Sequence, residues 1–410
     1  MHRPLAHVTV LDLSRVLAGP WCTQHLADLG ATVWKIERPG SGDDTRAWGP
    51  PYLRDGAGRD TTESAYYMAC NRGKQSVAVD ITTPDGQAIV RALCAQADVL
   101  VENYKVGGLA KYGLDRETLM ARHPRLVYCS ITGFGQDGPW AERAGYDFII
   151  QGMSGFMSVT GERDDVPGGG PQKAGVAITD LVTGMFAVTG ILAALAERER
   201  TGRGCHVDAA LLDSAVAMMS VMNMNYLVTG RAPGRLGNAH PNIVPYQVFA
   251  CADGHVILAV GNDGQFAKFC EAAGVGAWAA DARFAKNADR VRNRDALVPM
   301  VAEVVRGRTQ RAWLDLLEPL GVPCGPINAI DQVFAEPQLR ARGLRFDLPH
   351  PLAGSVPQVG LPLLFDGERS DAAQPPPLLG EHTAAVLKAR LGYDEARIAS
   401  LARSGVVAVR

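Results

Sequence analysis

The chain has 410 residues, 47% of them hydrophobic and 20% charged, and 41 basic against 43 acidic side chains leave a formal charge of −2. That length exceeds one ordinary domain and supplies ample apolar material for a core, so two domains are expected. The near-neutral balance offers no surplus of positive charge to draw nucleic acid or an anionic membrane.

Residues 1–13, MHRPLAHVTVLDL, run straight into a strand at Val8–Leu13. They show neither the apolar core nor the cleavage site of a signal peptide, so a cytoplasmic location is expected. Gly19 and Pro20 open a helix, Trp21–Leu29, which Gly30 closes, and Ala31–Glu37 makes a second strand. The product is a β-α-β unit with a parallel pair. From Ser41 to Thr62 the chain is rich in Gly, Asp, Pro and Arg, and so long a loop usually covers a site or an interface. Strands at Ser76–Asp80, Val99–Glu102 and Leu126–Ile131 then alternate with helices at Pro84–Gln96 and Gly107–Arg122. This alternation predicts an α/β fold with an open, doubly wound (Rossmann-like) parallel sheet, whose ligands gather at the carboxyl ends of the strands. Arg15–Ala18, Arg38 and Asn103–Lys105 all fall at such ends.

Gly133–Gly138 (GFGQDG) matches GxGxxG literally, but Pro139, Trp140 and the polar AERAG stand where that fingerprint requires a crossover helix. We read these glycines as a turn with close backbone approach. Ala174–Ala196 is an apolar run broken by one acid, Asp180. Helix formers from Leu181 to Ala196, then Arg198 and Arg200, then Gly202 and Gly204, predict a buried helix with Asp180 in its first turn. The run is marginal in length for a membrane span. Asp180 has two readings at this level: an N-terminal cap, or a carboxylate kept ionised at the positive end of the helix for chemistry.

From about Asn223 the texture changes. Ile243–Val260 reads as a hairpin turning at Asp253-Gly254, followed by helices near Gln265–Ala273, Asn293–Arg306 and Thr309–Leu317. The expected domains are 1–222 with 330–410, the latter carrying a helix at Glu381–Leu391, and a smaller α+β domain at 223–329. The eight cysteines (22, 70, 94, 129, 205, 251, 270 and 324) are scattered without metal-ligand spacing. Reduced core thiols and no metal site are expected.

Several segments together resemble the class III CoA-transferase family, the formyl-CoA transferase-like proteins. They are VLDLSRVLAGPWCTQHLADLGATVWKIERPGSGDDTR (10–46), NRGKQS (71–76), VENYKVGGLAKYGLD (101–115), ITGFGQDGPW with AGYDFIIQGMSG (131–155), AITDLVTGMFAVTGILAAL (177–195), TGRG (201–204) and LLGEHT (378–383). The resemblance implies that Asp180 is the catalytic nucleophile. Its carboxylate would attack an acyl-CoA thioester, giving an aspartyl anhydride and then an aspartyl-CoA thioester from which an acceptor acid takes over the CoA. It also implies CoA contacts at Leu17, Ala18, Arg38, Val79, Asp80, Thr82, Asn103, Tyr104, Lys105 and Lys111, with Arg15, Tyr146 and Asp147 supporting the site. CoA and acyl-CoA are then substrates, with no permanently bound cofactor. The implied partners are an acyl-CoA, a carboxylic acid and a second copy in an interlocked homodimer, with no nucleic acid and no membrane.

Two departures matter. ENYKVG replaces the family's ENF-[RK]-P-G, and LGNAHPNIVPYQVF (236–249) replaces the glycine-run loop of the formyl-CoA enzymes. The latter is similar to the branch that uses succinyl-CoA and dicarboxylic acids. Pro167–Gly170, within the 163–171 loop, is a candidate lid. Spacing assigns neither Arg46 nor His240 to the acceptor acid. One alternative is an α-methylacyl-CoA racemase-like isomerase, which needs a His where Tyr146 stands; a phenol with an ordinary pKa of about 10 is a poor substitute. The other is a CoA-binding protein without turnover, which leaves the intact Asp180 unexplained.

Overall fold

Strands buried on both faces need apolar side chains at successive positions. Five strands meet that need and a sixth, His206–Ala210, lies half-exposed at the edge in the computed structural model, which describes residues 2–370 and 372–410. They are β1 (Thr9–Asp12), β2 (Thr32–Glu37), β3 (Lys74–Val79), β4 (Val99–Glu102), β5 (Val127–Thr132) and β6 (His206–Ala210). The sheet runs Val407–Ala408, β3, β2, β1, β4, β5, β6, parallel throughout except for Val407–Ala408.

Alternate side chains feed two cores. Val10, Val33, Val99, Val101 and Cys129 face α1 (Ala18–Asp28) and a long helix, Ile178–Thr201, through Cys22, Leu26 and Ile191. Leu11, Trp34, Leu100 and Tyr128 face the other way, toward Ile89 and Leu93 of α2 (Pro84–Cys94) and Leu119 of α3 (Arg116–Arg122). Each such aliphatic side chain, fully buried, contributes about 1.5–3 kcal/mol of transfer free energy.

Between β5 and the long helix comes α4 (Asp147–Met153); the long helix is α5, and α6 (Leu211–Met218) follows β6. α5 ends where Gly202, at φ +75°, turns its N–H back to the Arg198 carbonyl at 2.7 Å. It is long and apolar enough to cross a membrane by length and composition. Its Ala187, Ile191 and Ala194, however, are buried in the protein core. Gly184 sets the contact with α1: a Cβ there would stand 2.7 Å from the Ala18 carbonyl oxygen.

Three expectations change. The stretch read as one helix at Gly107–Arg122 is a 3-10 turn, Ala110–Tyr112, and α3, separated by Gly113 at φ +62°. The edge strand β6, the helix α6 and the helix Ser220–Thr229 were not foreseen. The chain also divides differently. One compact unit is Met1–Phe156, Ala174–Asn223 and Gln338–Arg410; the other is Met157–Lys173 and Met224–Pro337. Residues 157–173 therefore belong with the second unit, because Gly237 N–H bonds the Gly161 carbonyl at 3.1 Å and Arg235 bonds that of Glu162 at 3.1 Å. Residues 330–337 fall there too. The turn read as a lid, Pro167–Gly170, is thus part of the second unit.

Within that unit, the hairpin Tyr246–Cys251 and Gly254–Ala259 pairs antiparallel and is extended by Cys324–Gly325. Its core is built on Phe266, Phe269, Phe284, Leu297, Val301 and Trp313.

Candidate functional site

The strand order places β1 and β4 side by side at the centre, with the chain leaving them toward opposite edges. Outside the carboxyl ends of two such strands a crevice must open. A cavity of about 210 Å³ lies there, lined among others by Arg15, Leu17, Ala18, Asn103, Tyr104, Lys105, Arg143, Tyr146 and Asp180. Residues more than 160 positions apart in sequence thus meet at one opening.

The loop after β1 is held in an unfavourable conformation. Val16 has φ +72°, a left-handed geometry that costs a β-branched residue roughly 1–2 kcal/mol. Asn103 braces it from both sides, accepting the Arg15 N–H at 2.9 Å and donating to the Arg15 carbonyl at 2.7 Å. Asp43 accepts the Val16 N–H at 3.2 Å. Burial works against the Asp43 charge, but the Lys35 ammonium at 2.8 Å outweighs it and holds the carboxyl down to about 2. Lys35 in turn donates to the Ser14 carbonyl at 3.0 Å. Deeper in, Asp12 pairs with Lys74 at 3.2 Å and accepts from Thr23 at 2.6 Å. Arg46 belongs to the same buried frame: it pairs with Glu37 at 2.8 Å and Glu63 at 3.1 Å and stacks on the Tyr67 ring. It is thus a structural residue.

Asp180 is the third residue of α5 and is partly buried. It does not cap its helix. That task falls to Asp147, whose Oδ1 accepts the Thr179 N–H at 2.8 Å and the Thr179 hydroxyl at 2.7 Å while Oδ2 accepts from Gln151 at 2.7 Å. The Asp180 carboxylate accepts no side-chain hydrogen bond among the described residues. Burial, and then the Asp147 charge, push its pKa up to about 7. Tyr66, on the short helix Ala65–Met68, feels the same charge, since burial and then Asp180 raise its phenol to about 12. A carboxylate poorly solvated, unpaired and open to a cavity is a more reactive nucleophile than a capped one.

The other expected residues are distributed unevenly. Arg38 is exposed and lies off the cavity lining, though close enough for its charge to act on Tyr104. Val79, the last residue of β3, is buried in the core. Asp80 and Thr82 bond each other at 2.7 Å in the turn before α2. Lys111 lies over the Tyr112 ring, also off the lining. Asp147 acts behind Asp180. Glu102, ahead of the Asn103 brace, accepts the Tyr104 N–H at 2.8 Å, and burial pushes its carboxyl up to about 7. Sequence reasoning missed Tyr66 and Arg143. The one signal for Arg143 was a charge in the AERAG segment where a helix should have followed.

Comparison with known proteins bears on what this cavity does. A family description, CoA-transferase family III, matches residues 5–383. The chain is 52% identical over 384 residues to a succinate–glutarate CoA-transferase of Agrobacterium fabrum, covering 94% of this chain and 95% of that one. It is 44% identical over 405 residues to a succinyl-CoA:glutarate CoA-transferase of Mus musculus, covering 99% of this chain and 90% of the other. Among solved structures, a CAIB/BAIF family protein from Brucella suis matches with a TM-score of 0.82 and 48% identity, covering 95% of this chain and all of that one.

Proposed function

The chain belongs to CoA-transferase family III and is an enzyme of that class; on that premise we propose that it moves CoA from succinyl-CoA, or a similar short-chain acyl-CoA, to a dicarboxylic acid. The single observation that carries the reading is Asp180: an uncapped, half-desolvated carboxylate facing the cavity at the sheet's central crevice. Asp180 attacks the thioester carbonyl, and CoA leaves as thiolate with an acyl-aspartyl anhydride formed. The thiolate returns to the aspartyl carbonyl, releasing the donor acid and leaving aspartyl-CoA. The acceptor carboxylate attacks that thioester, and the freed thiolate then takes the acceptor's acyl carbon, restoring the Asp180 carboxylate. Each step exchanges one activated acyl bond for another, so no metal or redox partner is required.

The Asn103 brace and the backbone of Leu17 and Ala18 supply the CoA-facing wall in this reading. Incubation with succinyl-CoA followed by hydroxylamine and peptide mass spectrometry should tag Asp180. CoA transfer at wild-type rates by Asp180→Ala would overturn the nucleophile assignment. The racemase-like alternative is not favoured, since the similar proteins are named as CoA-transferases and Tyr146 offers no acid–base His.

We also propose a homodimer. In the first unit alone Ile149, Met185, Phe186, Val216 and Val221 are exposed, and large apolar side chains of this kind on a surface suit a subunit contact. Light scattering should return twice the chain mass. We propose a reducing, cytoplasmic setting, for which the scattered spacing of the eight cysteines is the ground.

A further inference from the structure

The look-alike nucleotide motif has a structural use. Gly133 and Gly145 pack face to face: a Cβ on Gly133 would stand 2.5 Å from the Gly145 Cα, and one on Gly145 would stand 2.4 Å from the Gly133 Cα. The intervening segment is therefore a loop pinched at its base, with both ends on the cavity wall. Inside it Phe134 and Trp140 meet edge to face at 5.6 Å, and the Arg143 guanidinium lies 5.4 Å and 5.2 Å from their ring centroids. The rings fix where the charge sits without consuming its hydrogen bonds. Arg143 lines the same cavity as Asp180 and has no carboxylate partner among the described residues.

The cavity's other cations are differently placed. Arg15 is paired with Asp44 at 2.8 Å. Lys105 sits on the Asn103 arm and also lines the neighbouring cavity beside Glu102. From this geometry we infer that Arg143 binds the second, unreacting carboxylate of a dicarboxylic substrate while the first engages at Asp180. With its charge seated against the two rings, the Arg143 N–H fork is left to take a carboxylate through two parallel hydrogen bonds. The inference rests on the reading of this site as a transferase for dicarboxylic acids.

The test compares glutarate with valerate, which has the same chain length and lacks the second carboxylate, as acceptors from succinyl-CoA. Wild type, Arg143→Gln and Arg143→Lys are assayed, with calorimetric Kd values for CoA. Arg143→Gln should cut the glutarate-to-valerate ratio of kcat/KM by about tenfold or more, through KM for glutarate, as loss of a charged hydrogen-bond pair implies. The kcat/KM for valerate, which reports the acceptor half-reaction alone, and the CoA Kd should stay within about twofold, and Arg143→Lys should recover part of the ratio. An unchanged ratio, an equal loss on both acids or a weakened CoA Kd overturns the inference. A wild-type enzyme that transfers CoA to neither acid overturns the functional reading itself, an outcome separable from the first because it needs no variant.

Discussion

Replacing Asp180 with Asn should stabilise the protein while abolishing transfer. The folded carboxyl is raised from 3.8 to about 7. At about 1.36 kcal/mol per pKa unit, that shift of roughly three units makes the ionised side chain cost up to about 4 kcal/mol of stability. Water in the open cavity screens part of this, leaving about 2 kcal/mol as the expected gain. The sign follows from linkage. A carboxyl whose folded pKa is raised costs nothing below the unfolded value, where both states are protonated; the cost grows as pH rises and is complete above the folded value. Urea midpoints for wild type and Asp180→Asn, taken at about pH 5 and about pH 8, should therefore show the variant more stable at both, with the larger gap at the higher pH. A variant that is less stable at the higher pH would mean that the carboxylate supports the helix end, and an Asp180 destabilised by burial and by Asp147 would be refuted.

Transfer should rise with pH through about 7 as Asp180 ionises. Glu102 titrates in the same region, so the two are separated with Asp147→Asn: removing the charge behind Asp180 should move the rate midpoint downward, and an unmoved midpoint would assign it elsewhere. Asn103→Ala removes both braces on Arg15, which should weaken CoA binding while the global melting temperature changes little. Adding Val16→Gly should recover part of the affinity by abolishing the left-handed penalty, and no recovery would refute the bracing role. Gly184→Ala drives a methyl to 2.7 Å from the Ala18 carbonyl oxygen, an overpacking that should cost about 1–3 kcal/mol; an unchanged Tm would mean that the two helices part freely.

The sheet was legible because burial on both faces leaves a mark on composition: VTVLDL, ATVWKIE and LVYCSI are runs of apolar residues with strand-sized lengths, spaced by helices. β6 escaped notice for the opposite reason, since His206, Val207 and Asp208 are not fully buried and the strand lies at the sheet's edge. The buried ionic frame was hidden altogether. Asp12, Lys35, Asp43, Arg46 and Lys74 look like ordinary surface charges one at a time, and only the parallel pairing of β1 with β2 and of β2 with β3 brings them together. No local pattern records such a partner, because the spacing between ion-pair members is set by the fold.

The same reason decides the two readings of the acid in α5. A carboxylate in the first turn of a helix is a cap when it is the nearest acceptor, and in the first turn of α5 the acid is Asp180. Asp147 reaches the Thr179 N–H from 32 residues away and fills that role. By satisfying the helix end it deprives Asp180 of the partner that would have held its pKa low. By its own charge it raises that pKa further. One interaction therefore stabilises the helix and adds to the burial that destabilises the carboxylate beside it, and the reactivity proposed for Asp180 arises first from that burial and then from the division of labour between two acids, rather than from the motif around either one.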